Sequence, residues 1–159
     1  MSTPPQFIDF TVQDRRPVLT VMESINRDRD GWINIAPSLS IDEVPDPPSS
    51  LTRIFGPAGP AIPFGTWVPG GRTRRGTDAT SLGLRHGSGA RAITRLREAG
   101  VAVPLGWRVL TDHGRRGLVL ELPDDAAVEE ALDWLLLAAA ALTAFALPGD
   151  WRAQVYRRN

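Results

Sequence analysis

Two histidines and the arginines beside them are the side chains of this chain best suited to chemistry. Histidine exchanges a proton near neutral pH, and arginine presents a planar fork of donors that fits phosphate or carboxylate groups. A turn of small residues follows the first histidine and can point backbone N–H groups at an anion. The residues of this predicted Arg/His rim are Arg85, His86, Gly87, Ser88, Gly89, His113, Arg115 and Arg116.

The elements around these residues predict that the two halves of the rim meet. Hydrophobic periodicity and turn signals in residues 80–157 indicate strand, helix, strand, strand, helix and strand, in that order. This is the order of a ferredoxin-like split βαβ domain, so the predicted fold class is α+β. In that arrangement the first two strands run parallel, which brings His86 and His113 to the same end of the sheet. The predicted ranges are 81–86, 90–99, 107–112, 118–122, 124–146 and 151–156.

The first seventy residues predict an extension of that domain. Residues 7–12 alternate in part as a strand does, and an apolar stripe after Asp14, the predicted N-cap, indicates an amphipathic helix. Residues 37–69 hold 8 of the 14 prolines, which favours an extended connector. We therefore predict an N-terminal extension whose Pro-rich connector packs on the core at 1–70, a mobile Arg/Gly linker at 71–79, and the ferredoxin-like domain at 80–159.

The composition excludes several kinds of site. The chain has no cysteine, which excludes disulfides and zinc-thiolate sites, and no spacing of His, Asp and Glu predicts another metal or a cofactor. The net charge is zero, although residues 67–118 carry 10 Arg against 3 acidic residues, a difference of +7. The first residues lack the basic and apolar segments of a secretory signal, so we expect a cytoplasmic protein with no membrane partner.

A long apolar segment predicts an additional packing surface. From Trp134 to Leu147 only Thr143 is polar, and the run is too short for a membrane span. A helix that is apolar on all sides needs cover on more than one of them. We expect residues 132–147 to pack against the N-terminal extension or against a second copy in a homodimer.

Two motifs resemble nucleotide-binding or RNA-binding signatures and depart from them in detail. Gly87, Gly89 and Ala92 follow a strand and open a helix, as in a dinucleotide-binding fingerprint, but a hairpin follows where a crossover is required. Arg116-Gly117 begins a strand as in an RNA recognition motif, yet leucine or valine occupies the stacking positions. Nucleic acid is therefore not an expected partner, and RNA binding is kept only as an alternative function.

Together these patterns favour a non-enzymatic binding or assembly module that holds a small anion at the Arg/His rim. One alternative is an enzyme for a small anionic substrate, with His86 or His113 as the acid–base group and the arginines as a clamp. The other alternative is an RNA-binding module. The histidines distinguish the binding module from the enzyme, because catalysis requires them to line one concave pocket.

Overall fold

The computed structural model describes residues 3–43 and 59–158, and in them three helices pack against an antiparallel sheet. The fold is therefore mixed α+β. The helices are α1 (Arg16–Asp28), α2 (Ala92–Glu98) and α3 (Val128–Ala141), with a short 3-10 turn at Ile41–Glu43. The strands are β1 (Gln6–Thr11), β2 (Gly31–Pro37), β3 (Phe64–Val68), β4 (Gly71–Thr73), β5 (Gly76–Asp78), β6 (Thr80–Arg85), β7 (Arg108–His113), β8 (Gly117–Leu122) and β9 (Asp150–Arg157).

Seven of these strands form one sheet in the order β1-β9-β2-β3-β6-β8-β7, and each neighbouring pair is antiparallel. β4 and β5 pair with each other as a separate hairpin, within the segment 71–79 that the sequence predicts as a linker. The predicted extension at 1–70 supplies β1, β2 and β3 to the same sheet as the predicted domain. The division of the chain near residue 80 stays a prediction, since the sheet runs across it.

The predicted element order is present in the second half of the chain as β6, α2, β7, β8, α3 and β9. β8 lies antiparallel between β6 and β7, which makes those two strands parallel to each other. β9 does not pair with β6, because β2 and β3 lie between them. The second half therefore forms part of a wider sheet and not a sheet of its own.

α1 forms on an apolar stripe that packs on the sheet, and its proline lies in the first turn, where no N–H donor is needed. The predicted N-cap is wrong by one residue. Arg15 occupies that position without a side-chain cap, and the Asp14 carboxylate accepts a hydrogen bond from Arg16 Nε at 3.0 Å instead. The buried residues of the stripe are Val18, Met22 and Ile25.

α3 lies across the sheet and contacts β3, β6, α1 and α2. Gly65 on β3 permits this close packing, because a Cβ atom there would lie 2.7 Å from the Leu135 side chain. The helix begins at Val128 and not near 124, since residues 123–126 form a turn in which the Ala126 N–H donates to the Pro123 carbonyl at 3.0 Å. It ends at residue 141, five residues earlier than predicted.

The N-terminal part of the chain packs on one side of α3. This is one of the two packing partners that the sequence predicts for residues 132–147. α1 packs beside α3, and Arg15 forms an ion pair with Asp133 on α3. Leu137 remains 59% exposed on the outer side. Within residues 3–43 and 59–158, none of the helices combines the length and the hydropathy needed to cross a membrane.

Candidate functional site

His86, the first histidine of the predicted rim, is 1% exposed at the end of β6. Its Nδ1 accepts a hydrogen bond from the Ser88 N–H at 3.2 Å and lies 3.0 Å from Ser88 Oγ. The ring proton is therefore on Nε2, which is buried and has no partner among the described residues. Burial lowers the pKa of His86; the Asp112 carboxylate raises it, and Arg95 lowers it further. The side chain is thus a neutral, buried group.

The Asp112 carboxylate contacts the start of α2, which follows the Gly87–Gly89 turn that the sequence predicts as an anion site. Its Oδ1 accepts the Ala92 N–H at 3.0 Å, and its Oδ2 accepts the Ile93 N–H at 3.1 Å. A carboxylate of the chain itself therefore takes the first N–H donors of α2.

His113 lies on the exposed hairpin between β7 and β8. Its Nδ1 accepts hydrogen bonds from the backbone N–H groups of Arg115 and Arg116, at 3.1 and 3.3 Å. The ring therefore stabilises the hairpin turn. His86 and His113 lie at the same end of the sheet as predicted, but one is buried and the other exposed, so they do not present a pair of imidazoles to one ligand.

The opposite face of the sheet collects a different set of side chains. In the inner strands, alternate residues are buried under the helices, and the residues between them lie on the other face. We call this other surface the helix-free face, because no helix of the described chain packs on it. On β9 the buried residues Trp151, Ala153 and Val155 alternate with Arg152, Gln154 and Tyr156.

A row of polar side chains crosses the helix-free face through strand register. Phe7 on β1 lies opposite Gln154, and Gln154 lies opposite Asn34 on β2. Asn34 in turn lies opposite Thr66 on β3. Thr66 Oγ1 donates a hydrogen bond to Asn34 Oδ1 at 2.9 Å, so the Asn34 amide keeps its N–H groups as donors. The centre of the face therefore offers amide groups and not charges.

A cleft of about 480 Å³ lies over this row. Phe7 and Phe64, which are 55% and 36% exposed, lie on β1 and β3 at its two sides. Asn34 and Gln154 line it on the intervening strands, and the Arg152 guanidinium lies over the Phe7 ring, with Cζ at 5.9 Å from the ring centroid. The volume is within the range of small-molecule sites, which combine apolar walls with a few convergent polar groups.

An aromatic pair lies on the same face, towards the other end of the strands. The Trp32 and Tyr156 rings stack with their centroids 4.9 Å apart and their planes within 6° of parallel. The Arg158 guanidinium lies over Trp32, with Cζ at 5.9 Å from the ring centroid. Trp32 and Tyr156 are directly paired in the β2–β9 register, so the stack is a cross-strand contact.

The charges of the helix-free face are partly paired within the chain. The two ion pairs are Arg152 with Asp9, at 2.7 and 3.3 Å, and Arg108 with Glu121, at 2.9 Å. The hydrogen bond from Arg152 lowers the pKa of the Asp9 carboxyl, so that carboxyl is ionised at neutral pH. Arg85 and Arg158 lie on the same face and form no ion pair with a described residue. Asp150, which alternates with Arg152 on β9, also lies on this face and forms no ion pair with a described residue. The face is therefore net positive, but by less than the two arginines alone would give.

Sequence reasoning missed this face because its side chains come from four strands far apart in the chain. The strand that resembles an RNA recognition motif is β8, and its Leu118, Leu120 and Leu122 are buried on the helix side, as core residues are. The available signal was the alternation itself, which places Phe7, Trp32 and other aromatic residues opposite the core residues of their strands. Only the register shows that they share one surface.

Within the described residues, no group of three or more His, Asp or Glu side chains is placed to hold a metal ion. Comparisons with protein-family models, with curated proteins and with solved structures returned no match. A function for this chain is therefore proposed from its geometry alone.

Proposed function

We propose that this protein is a non-enzymatic binding module that holds a planar, anionic ligand on the helix-free face of its sheet. The observation that carries the proposal is the cleft with Phe7 and Phe64 at its sides and the Asn34 and Gln154 amides between them. Exposed aromatic rings favour a ligand with a planar group, because stacking contributes about 1–3 kcal/mol per base in comparable sites. Amide groups favour a ligand with hydrogen-bonding edges.

The charges of the face support an anionic ligand over a cationic one. Arg85 on β6 lies directly opposite Phe64 on β3 in the register, beside one wall of the cleft. Arg152 keeps donors beyond the two that Asp9 takes, since a guanidinium carries five N–H groups. β6 and β7 run parallel, so both strands end on the same side of the sheet. The predicted rim arginines Arg115 and Arg116 follow β7 and add positive charge near the end of β6.

The two histidines favour binding over catalysis. His86 is buried, with its Nδ1 engaged by Ser88, and the Nδ1 of His113 accepts two N–H groups of its own turn. A general acid–base group must reach the proton that it transfers, either directly or through one water. An enzyme with His86 or His113 in that role has less support than a binding module. That alternative predicts a catalytic activity that either His86→Asn or His113→Asn abolishes.

For the architecture, we propose that residues 80–157 are a ferredoxin-like unit whose sheet is widened by three further strands, β1, β2 and β3. The support is the order of β6, α2, β7, β8, α3 and β9, with β8 between the parallel β6 and β7. β2 and β3 occupy the place between β6 and β9. In this proposal the N-terminal strands form part of the binding face and do not merely extend the domain.

The predicted homodimer through α3 also remains a proposal. Its support is the exposed apolar side of that helix, where Leu137 and Ala140 face outward. Sedimentation of the wild type against Ala140→Glu tests it, because a glutamate in a dimer seam shifts the protein to monomer. A wild-type monomer at high concentration would contradict the dimer.

The experiment that tests the proposed function uses uridine monophosphate as a planar anion, with uridine and inorganic phosphate as its separate parts. Saturation-transfer NMR should show binding of the nucleotide at millimolar concentration and weaker binding of either part. Uridine monophosphate has one base, so either Phe7→Ala or Phe64→Ala, whichever removes the ring that the base stacks on, should reduce the binding. Leu105→Ala is the matched control, because Leu105 is a fully exposed apolar residue outside the face. Equal signals in all four proteins, or none, would contradict the proposed function.

A further inference from the structure

Resting on the proposed function, we infer that the ligand is single-stranded nucleic acid, with successive bases stacked on the aromatic residues of the helix-free face. The first reason is the distance between the aromatic residues. Phe7 on β1 and Phe64 on β3 are separated by three strand spacings, which amounts to roughly 14 Å. One planar group cannot stack on both rings, so a ligand that uses both must carry two or more planar groups.

The second reason is that the face continues beyond the first cleft. A second cleft of about 460 Å³ shares Ser38, Leu39 and Arg152 with the first one and extends over the ends of β1 and β9. The Asp9 and Asp150 carboxylates also line it, so a strand would contact it through base edges and not through phosphates. In the other direction lies the Trp32–Tyr156 stack, one alternation further along β2 and β9. A chain-like ligand can contact all three regions, whereas a mononucleotide contacts one.

The third reason is the position of the arginines that form no ion pair with described residues. Arg85 lies opposite Phe64 in the register, and the Arg158 guanidinium lies over Trp32. Each of these cations therefore lies beside an aromatic ring. A base that stacks on the ring would bring its own phosphate close to the neighbouring guanidinium. Between them, Gln154, Asn34 and Thr66 offer hydrogen-bonding groups to base edges.

The open geometry favours single strands over a duplex. Bases in a duplex are already stacked on each other, so aromatic side chains on a sheet surface reach them only when the strand is unpaired. Because the chain as a whole has no net charge, general attraction to the phosphate backbone is weak. The inference therefore predicts a shallow salt dependence, with a slope of about −1.4 in log affinity against log salt if two phosphates are neutralised.

The experiment measures fluorescence anisotropy of labelled single strands of about eight nucleotides, as RNA and as DNA, and of the matched duplex. We expect the single strands to bind at least about tenfold more tightly than the duplex and than uridine monophosphate. The combined Phe7→Ala and Phe64→Ala substitutions should weaken single-strand binding by about tenfold or more, and Leu105→Ala should leave it unchanged. Replacing Arg85 and Arg158 together by Ala should flatten the salt slope. A difference between the RNA and DNA arms identifies the natural strand.

The outcomes separate this inference from the proposed function. If the mononucleotide binds at Phe7 or Phe64 but the single strand binds no more tightly, the inference fails and the proposed function stands. If the duplex binds as well as the single strand and the aromatic variants bind normally, the contact is only electrostatic and the inference also fails. If neither nucleotide nor strand binds, both are wrong. Circular dichroism of each variant checks the fold, which substitutions at exposed positions should preserve.

Discussion

Trp32 and Tyr156 stack face to face across β2 and β9, with 4.9 Å between ring centroids and an angle of 6° between ring planes. The pair joins an N-terminal strand to the last strand of the chain. The pair lies on the side of the sheet that carries no helix in the described residues. It therefore stabilises the fold through contact between the two rings and not through burial in the core. The helix-free face is therefore ordered by its own side chains before any ligand binds.

The Trp32–Tyr156 contact predicts a coupling energy. Trp32→Ala and Tyr156→Ala should each destabilise the fold, and the double variant should lose less than the sum by about 0.5–1.5 kcal/mol. Urea denaturation of the wild type and the three variants gives this value. Combining Trp32→Ala with Leu105→Ala is the control, since those two losses should add. Additive losses for Trp32 and Tyr156 would mean that the stack contributes nothing to stability.

A second prediction concerns Asp112, which accepts the Ala92 and Ile93 N–H groups at the start of α2. Asp112→Ala leaves both donors without this partner, and we expect the free energy of unfolding to fall by about 1–3 kcal/mol. Asp112→Asn should lose less, because it keeps one acceptor oxygen. Nucleotide binding should be unchanged in both variants. If Asp112→Ala instead abolished ligand binding without loss of stability, the Arg/His rim and not the helix-free face would be the site.

A third prediction follows from the lowered pKa of the buried His86. The unfolded chain takes up this proton near pH 6.5, whereas the folded protein resists it until a lower pH. The unfolded state therefore binds more protons in that window, and stability should fall as the pH drops below about 6.5. The loss should stop once the pH has passed through the folded-state pKa. Thermal midpoints measured across this range give the slope.

His86→Asn provides the comparison for this pH dependence, because its Oδ1 can accept the Ser88 N–H in place of Nδ1. The variant should lose the part of the slope that comes from His86. The dependence should persist in His113→Asn, which keeps His86. A wild-type slope in His86→Asn would assign the pH dependence to other groups.

Local patterns were sufficient to predict most of the elements. The apolar stripe from Val18 to Ile25 predicts α1, and alternation predicts β1 and β9, because such periods are set by the geometry of one element. Boundaries were less accurate where a turn competes with a helix, as at Pro123 before α3. The sheet order was not predictable, since the insertion of β2 and β3 between β6 and β9 depends on contacts between distant segments.

For the same reason, the sequence predicts where the rim residues lie in the sheet but not which contacts their side chains make. The sequence correctly brings His86 and His113 to one end of the sheet, but it does not show that Asp112 takes the helix donors or that His86 is buried. Those facts depend on side-chain packing. The helix-free face depends on register, which pairs residues as distant as Phe7 and Gln154.

The most direct test of the helix-free face as the binding surface is a two-dimensional nitrogen–proton NMR titration of the full chain with a short single-stranded oligonucleotide. We expect shifts in the side-chain amides of Asn34 and Gln154 and in the Trp32 indole N–H. The Trp134 indole N–H should not move, because it is hydrogen-bonded to the Ala102 carbonyl at 3.1 Å, away from this face. Shifts confined to residues 87–93 and 113–116, or to the Trp134 indole, would contradict the helix-free face as the site.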